Sequence, residues 1–170
     1  MKILVTIPKG ATFDSFVYPE TVERMRKMGN VTLNETTAQI THEELCEKIK
    51  GVDIVITGWG SPKIDEEVLE HADSLKYIAH TGGSVARYVC EEAYKRGIIV
   101  MSGNEMYAES VAEGVIAYML ASLRLIPRVS HALSMEGKWQ GPNLAENFTK
   151  GLLDRTVGIV SYGTISKYLL

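Results

Sequence analysis

The residues with the clearest potential for chemistry lie near the end of the chain, in a short polar turn. The turn reads Ser161-Tyr162-Gly163-Thr164-Ile165-Ser166. We predict that it joins a strand over Thr156–Val160 to a helix that starts within Lys167–Leu170. A strand, turn and helix in this order is the setting of the G-x-G-x-x-G fingerprint, which binds the pyrophosphate of a dinucleotide.

Three residues, Ser161, Gly163 and Ser166, occupy the fingerprint positions. Gly163 lets the backbone approach a pyrophosphate closely, and Ser166 is small enough to pack against the strand. The amides of Thr164 and Ile165 would point at the anion from the positive end of the helix. Ser161 departs from the motif, because a glycine normally serves the tight turn there. One glycine of three is a weak signal, and an ordinary strand-to-helix turn explains these residues equally well.

The four histidines are the candidates for acid–base chemistry. We predict that His42 and His71 lie on exposed helix faces and that His131 follows a long helix. His80 ends a predicted strand, and a hydrogen-bonded structural histidine is the favoured interpretation for it. We find no spacing typical of a metal site, no nucleophile elbow and no P-loop, so no catalytic residue is assigned in this chain.

Composition excludes several classes of protein. The 170 residues are 45% hydrophobic and 23% charged, which is typical of a globular protein and sufficient for one domain and part of a second. The net charge of −3 and the absence of basic runs mixed with aromatics argue against nucleic-acid binding. No apolar stretch is long enough to span a membrane. Cys46 and Cys90 are expected to be buried free thiols, which favours the cytoplasm.

Short apolar stretches alternate with amphipathic ones over the first hundred residues. We predict five strands over Ile3–Ile7, Val31–Leu33, Val52–Thr57, Leu75–His80 and Ile98–Met101. Helices are predicted between them over Pro19–Met28, Thr41–Lys50, Asp65–His71 and Cys90–Arg96, with a capping box formed by Thr41 and Glu44. This alternation predicts an α/β fold with a doubly wound, mostly parallel sheet.

The pattern changes after Glu105. Tyr107–Arg124 reads as a long helix with almost no polar face, so we expect it to lie between two domains or subunits. Pro127–Met135 continues as helix and Gly137–Asn143 as a polar loop. The predicted strand and helical turn at the end cannot bury their apolar side chains alone, so we expect that a second domain begins here and is truncated.

Several segments resemble one family in order and spacing, from about residue 50 to the end. They are Leu75-Lys76-Tyr77-Ile78-Ala79-His80-Thr81-Gly82-Gly83-Ser84-Val85, Arg96-Gly97-Ile98-Ile99-Val100, Ser110-Val111-Ala112-Glu113, Leu120-Ala121-Ser122-Leu123-Arg124, Gly137-Lys138-Trp139 and Leu153-Asp154-Arg155-Thr156-Val157-Gly158-Ile159-Val160. Together they are similar to the D-isomer-specific 2-hydroxyacid dehydrogenases. The earlier part of the chain agrees with that family in element pattern only.

The resemblance implies a division into a flavodoxin-like substrate domain over 1–103 and the start of a truncated Rossmann cofactor domain over 104–170. The helix over 107–124 would contribute to a homodimer. The substrate-binding residues that it implies are Gly82, Gly83, Ser84 and Trp59. The cofactor-binding residues that it implies are Val111, Ser161, Tyr162, Gly163, Thr164 and Ile165, with NAD favoured over NADP.

Three of these assignments keep an alternative, and for Val111 it is a core valine. Glycines permit an anion nest with unshielded amides, which suits a substrate carboxylate, but a plain glycine turn would also explain the segment over 81–85. Trp59 is as readily a structural tryptophan. The family commonly carries Asp-Asn after the loop, and Ala86-Arg87-Tyr88 stands here instead, so the side chain of the substrate stays open.

The activity implied is the interconversion of a small 2-keto acid and its D-2-hydroxy acid. That reaction needs an arginine for the carboxylate, an acid–base histidine and a carboxylate that orients it, and the family supplies these after the fingerprint. We therefore expect the chain alone to be inactive. A non-catalytic, NAD-sensing or regulatory relative that acts through a dimer surface is the alternative. A phosphoacceptor domain is excluded, because Thr57-Gly58 stands where its aspartate belongs.

Overall fold

The first part of the chain is built on a five-stranded sheet. The structure is a computed structural model that describes residues 1–139 and 150–170. The strands are β1 (Lys2–Val5), β2 (Asn30–Leu33), β3 (Ile54–Thr57), β4 (Tyr77–His80) and β5 (Ile99–Ser102). All neighbouring strands run parallel, in the order β2-β1-β3-β4-β5. This is the strand order of flavodoxin-like domains, so the predicted doubly wound α/β fold is confirmed.

Helices cover both faces of the sheet. They are α1 (Ala11–Phe16), α2 (Pro19–Met28), α3 (His42–Lys48), α4 (Glu66–Glu70) and α5 (Glu91–Lys95). Successive side chains of a strand point to opposite faces, so β1 contributes to two cores. Ile3 and Val5 pack with Phe13 and Met25 from α1 and α2. Leu4 joins the other core, which contains apolar residues of α3, α4 and α5.

The predicted capping box at the start of α3 is present. Glu44 N–H donates to Thr41 Oγ1 (3.2 Å), and Thr41 N–H donates to Glu44 Oε2 (2.9 Å). In α4, Asp65 caps the first turn by accepting from Val68 N–H at 3.1 Å. The short helix α1 was not predicted from the sequence, because it has neither a capping side chain at its N-cap, Gly10, nor a glycine at its end, where Val17 is the C-cap.

The chain divides into two compact units, Met1–Asn104 and Glu105–Leu170. The second contains α6 (Asn104–Leu123, starting at the boundary), α7 (Ile126–Glu136) and α8 (Thr164–Tyr168). Of the apolar residues in α6, Ala108 and Ala112 are buried, whereas exposed positions include Val111, Ile116, Tyr118 and Leu120. Within the described residues no single helix is long and apolar enough to cross a membrane; α6 and α7 pass that test only as a pair bent by 61°.

The end of the chain corrects two predictions. Residues 156–160 do not form the predicted strand, because a strand needs a hydrogen-bonded neighbour and the described part of the second unit offers none. Val160 is 99% exposed. The helix begins at Thr164, three residues before the predicted start at Lys167. The predicted loop Gly137–Asn143 runs into residues 140–149, which lie outside the described residues.

Candidate functional site

The loops that follow β1, β3 and β4 meet at the carboxyl edge of the sheet. Two glycines show how closely they approach. A Cβ built on Gly58 would lie 2.7 Å from Thr81 Oγ1 and 2.8 Å from Ile7 Cδ1. A Cβ on Gly60, which has φ +84°, would lie 3.2 Å from Pro8 Cγ. The carboxyl edge of a doubly wound sheet is where such folds bind ligands, so this edge is the first candidate site.

His80 anchors the glycine loop to the sheet. Its Nδ1 lies 2.9 Å from Thr57 Oγ1, and its ring stacks on Tyr88 with centroids 4.3 Å apart. The residue is 3% exposed, and this burial lowers the pKa of the imidazole from its usual 6.5. His80 is therefore a hydrogen-bonded structural histidine, as the sequence favoured, with Nδ1 bound to Thr57 and one ring face stacked on Tyr88.

Gly82 is buried directly against that ring. A Cβ here would lie 2.6 Å from His80 Nε2 and 3.2 Å from Trp59 Nε1. The carbonyls of His80 and Gly82 both accept from Gly103 N–H at 3.0 Å, which fixes the start of the loop to the end of β5. Trp59 is 60% exposed and makes an edge-to-face contact with Phe16, with ring centroids 5.5 Å apart.

The backbone N–H groups at the centre of the glycine loop have no hydrogen-bond partner among the described residues. No atom in the described ranges accepts a hydrogen bond from the amides of Gly82, Gly83 or Ser84. Gly83 and Ser84 are exposed. Beside them Thr81 Oγ1 is buried and has no hydrogen-bond partner in the described part of the chain. Unpaired backbone donors in a glycine loop suit an anion, although neither Gly82 nor Gly83 has the positive φ of an αR-αL nest.

The fingerprint turn lies in the second unit. Ser161 has φ 76°, the left-handed conformation for which glycine is preferred, and its carbonyl accepts from Ser166 Oγ at 3.0 Å. Gly163 is the N-cap of α8, and a Cβ built on it would meet nothing within 4 Å. A turn with this conformation and open space at its central glycine fits a pyrophosphate. Tyr162 is exposed, whereas Thr164 and Ile165 are half-buried.

Val111, the other residue that the resemblance assigns to the cofactor, lies on α6 and is 44% exposed. Its side chain is therefore available for contact, although a core valine was the competing interpretation. In contrast to Val111, Ala108 and Ala112 on the same helix are buried.

Two of the remaining histidines correct the sequence analysis, whereas His131 lies in α7, after the long helix, as predicted. His42 and His71 were predicted to be exposed, but both are half-buried. His42 Nε2 lies 3.1 Å from both carboxylate oxygens of Asp65, and that hydrogen bond raises the pKa of the imidazole. One nitrogen of His42, Cys46 Sγ and one carboxylate oxygen of Glu67 all lie within 4.8 Å of one another. The spacing of four between His42 and Cys46 was the sequence signal for this cluster, and it was missed.

Comparison with known proteins agrees with this geometry. The family model for the D-isomer-specific 2-hydroxyacid dehydrogenase catalytic domain matches residues 11–162. A D-3-phosphoglycerate dehydrogenase of Methanocaldococcus jannaschii is 31% identical over 172 residues, which cover 100% of this chain and 29% of the relative. A glyoxylate reductase of Pyrococcus furiosus is 28% identical over 164 residues, which cover 94% of this chain and 48% of the relative.

Solved structures show the same fold. An acyclic imino acid reductase in complex with NADPH and D-arginine has a TM-score of 0.78 at 20% identity, covering 99% of this chain and 51% of that one. The chain thus spans between 29% and 51% of the length of these relatives. With a family match over residues 11–162, the parallel sheet and the glycine loop at its carboxyl edge, the chain belongs to the D-isomer-specific 2-hydroxyacid dehydrogenase family.

Proposed function

We propose that this chain is the substrate-binding part of an oxidoreductase that interconverts a small 2-keto acid and its D-2-hydroxy acid with a nicotinamide cofactor. The observation that carries the proposal is the set of unpaired amides at Gly82, Gly83 and Ser84. They lie at the ligand-binding edge of the sheet of a chain that belongs to this family. The proposed role of the loop is to hold the substrate carboxylate.

A rigid loop is what this role requires, because a binding group must be positioned before the substrate arrives. The hydrogen bonds from Gly103 hold the loop at the end of β5, while His80 supports Gly82 from beneath. Thr81 Oγ1 is a buried hydroxyl without a partner in the described residues, and it would donate to the same ligand only after its side chain turned toward it. Trp59, exposed beside Gly82, is proposed to contact the apolar part of the substrate.

The carboxylate-binding step can be tested on this chain directly. Titration with glyoxylate, followed by amide NMR shifts, is expected to move the resonances of Gly82, Gly83 and Ser84. The amide of Gly97, which donates to Tyr94 O at 3.0 Å, is a control in the same unit and should not move. If the resonances of these three amides did not shift at saturating glyoxylate, the assignment of the loop as the carboxylate site would be rejected.

The fingerprint turn is proposed to hold the pyrophosphate of NAD or NADP, with NAD favoured. The anion would be faced by Gly163 and by the amides of Thr164 and Ile165. The turn would be completed by Ser161 and Tyr162. The nicotinamide would contact Val111. When bound, the nicotinamide supplies or accepts the hydride. The imino acid reductase binds NADPH, and this chain shares its fold, which supports a nicotinamide cofactor here.

The turn can be tested in a form of the protein as long as its relatives. Gly163→Val is expected to abolish binding of NADH while the protein stays folded, since a Cβ there meets nothing within 4 Å. Gly158→Val is the matched control, because a Cβ at Gly158 also meets nothing within 4 Å. Unchanged NADH affinity in Gly163→Val would reject the turn as a cofactor site.

The 170 residues alone are proposed to have no turnover. Of the four histidines, His80 is buried and engaged with Thr57, and His42 is paired with Asp65, so neither is free to serve a substrate at the loop. An arginine, a histidine and a carboxylate from outside these residues would complete the reaction. Oxidation of NADH by this chain with glyoxylate or hydroxypyruvate would contradict the proposal that it has no turnover. If a form as long as the relatives also failed to oxidise NADH with these substrates, the proposed dehydrogenase activity would be rejected.

The helix α6 is proposed to form a homodimer contact. Its exposed Val111, Ile116, Tyr118 and Leu120 lie on a helix that is apolar on most sides, and such a helix is stable in water only when covered. Light scattering of the purified protein would show a monomer if this is wrong. The cytoplasm is the proposed compartment, because Cys46 and Cys90 are both buried free thiols.

A further inference from the structure

A second group of chemically capable side chains lies away from the glycine loop, where α3 packs beside α4. His42 and Cys46 are four residues apart on α3, so they share one face of that helix. Glu67 projects from the first turn of α4. One ligand atom from each residue lies within 4.8 Å of the other two. None of these residues takes part in the proposed substrate or cofactor contacts.

The three donors form a mixed nitrogen, sulfur and oxygen set. Imidazole, thiolate and carboxylate are the three ligand types found in zinc sites, whereas calcium and magnesium take oxygen ligands. Bonds of about 2.0–2.3 Å place neighbouring tetrahedral ligand atoms roughly 3.3–3.8 Å apart. The observed separations, up to 4.8 Å, therefore need to shorten by side-chain movements of no more than about 1.5 Å. Glu67 is exposed and can make such a movement.

The surroundings of the cluster resemble those of metal sites. Asp65 holds the His42 ring through Nε2, at 3.1 Å from both carboxylate oxygens. A carboxylate on the imidazole ligand is a common outer partner that fixes the ring. Cys46 is 6% exposed and packs in the larger core, so its position is set before any ligand arrives. Burial, and after it the carboxylates of Glu67, Asp65 and Glu43, raise the pKa of the Cys46 thiol, so a metal ion must displace its proton, while the same negative charges attract the cation.

We propose that His42, Cys46 and Glu67 bind a divalent transition-metal ion of the zinc class, with Asp65 orienting His42. The site ties α3 to α4 and would stabilise the first unit when it is filled, since an ion that binds the folded state raises stability. It is independent of the proposed dehydrogenase function, and its test needs neither substrate nor cofactor.

Titration of the full chain with Co²⁺ alone tests the site, because cobalt reports its ligands spectroscopically. We expect one equivalent to bind, with a thiolate-to-cobalt charge-transfer band and intense visible bands from a four-coordinate ion. Zn²⁺ should displace the cobalt and raise the thermal midpoint of unfolding. Cys46→Ala is expected to abolish the charge-transfer band, and Glu67→Gln to weaken affinity by about tenfold or more.

Two matched variants serve as controls. Cys90→Ala removes the other buried cysteine, and Glu66→Gln makes the same change of charge at the exposed neighbour of Glu67. Both should bind cobalt like the unmodified chain. The proposal is overturned if the chain shows no charge-transfer band, if the band survives Cys46→Ala, or if Glu67→Gln and Glu66→Gln have equal affinity. Because Glu67 is exposed, its substitution is informative even if a change at Cys46 prevents folding.

Discussion

Replacing Gly82 with alanine should destabilise the first unit because the new methyl group has no space. Its carbon would lie 2.6 Å from His80 Nε2 and 3.2 Å from Trp59 Nε1. A ring can often turn away from such a contact, but His80 is bound to Thr57 and stacked on Tyr88. Either the ring must leave these partners or the loop must move outward.

The expected magnitude follows from measured overpacking costs. One extra methyl in a closely packed position costs about 1–3 kcal/mol. For a unit of about a hundred residues, that corresponds to a decrease of roughly 4–12 °C in the thermal midpoint. The backbone conformation adds nothing to this cost, because the φ of Gly82 is outside the left-handed region.

Gly83→Ala is the matched control, since a Cβ there would lie 3.5 Å from Asn104 Oδ1, an ordinary contact. Both variants are best made in a Trp139→Phe background, so that the fluorescence of Trp59 reports the first unit during thermal unfolding. Equal midpoints for Gly82→Ala and Gly83→Ala would refute the reasoning, because they would mean that His80 is not held as the contacts indicate.

Three further predictions concern other parts of the chain. Ser161→Gly should stabilise the second unit by about 1 kcal/mol, because φ 76° costs a serine energy that glycine does not bear; an unchanged urea midpoint would contradict this. The pKa of the His80 ring, measured by NMR, should lie below the usual 6.5, because burial disfavours the charged ring. The stability that the folded protein gains from the neutral ring is therefore complete above pH 6.5 and is lost as the pH falls through the lowered pKa. A titration midpoint at or above 6.5 would contradict this. Asp53 has its pKa lowered from 3.8 by Lys76 Nζ and by Lys2 N–H, each at 2.8 Å, so the stability gap between the chain and Asp53→Asn should close as the pH falls below 3.8. A gap that is constant between neutral and acid pH in urea unfolding would contradict that assignment.

Much of the first unit was predictable because its signals are local. Most strands are short runs of mainly apolar residues, although β2 is half polar, and turns or caps that act within four residues, such as Thr41 with Glu44, bound the elements. The helix α1 was not predicted, since it has neither a capping side chain at its start nor a glycine at its end. The strand predicted over Thr156–Val160 failed for the opposite reason: its residues favour a strand, but a strand forms only against a partner, and the described residues supply none there.

The sequence by itself determined the α/β alternation, the family and the glycine loop, because these depend on residue types in order along the chain. Only the tertiary structure decided which side chains meet. It placed Gly82 against His80 and brought Glu67 to Cys46 from separate helices. It also left the amides of the loop without partners in the described residues. Contacts between residues far apart in the chain depend on how helices pack on the sheet, and no local pattern records that packing.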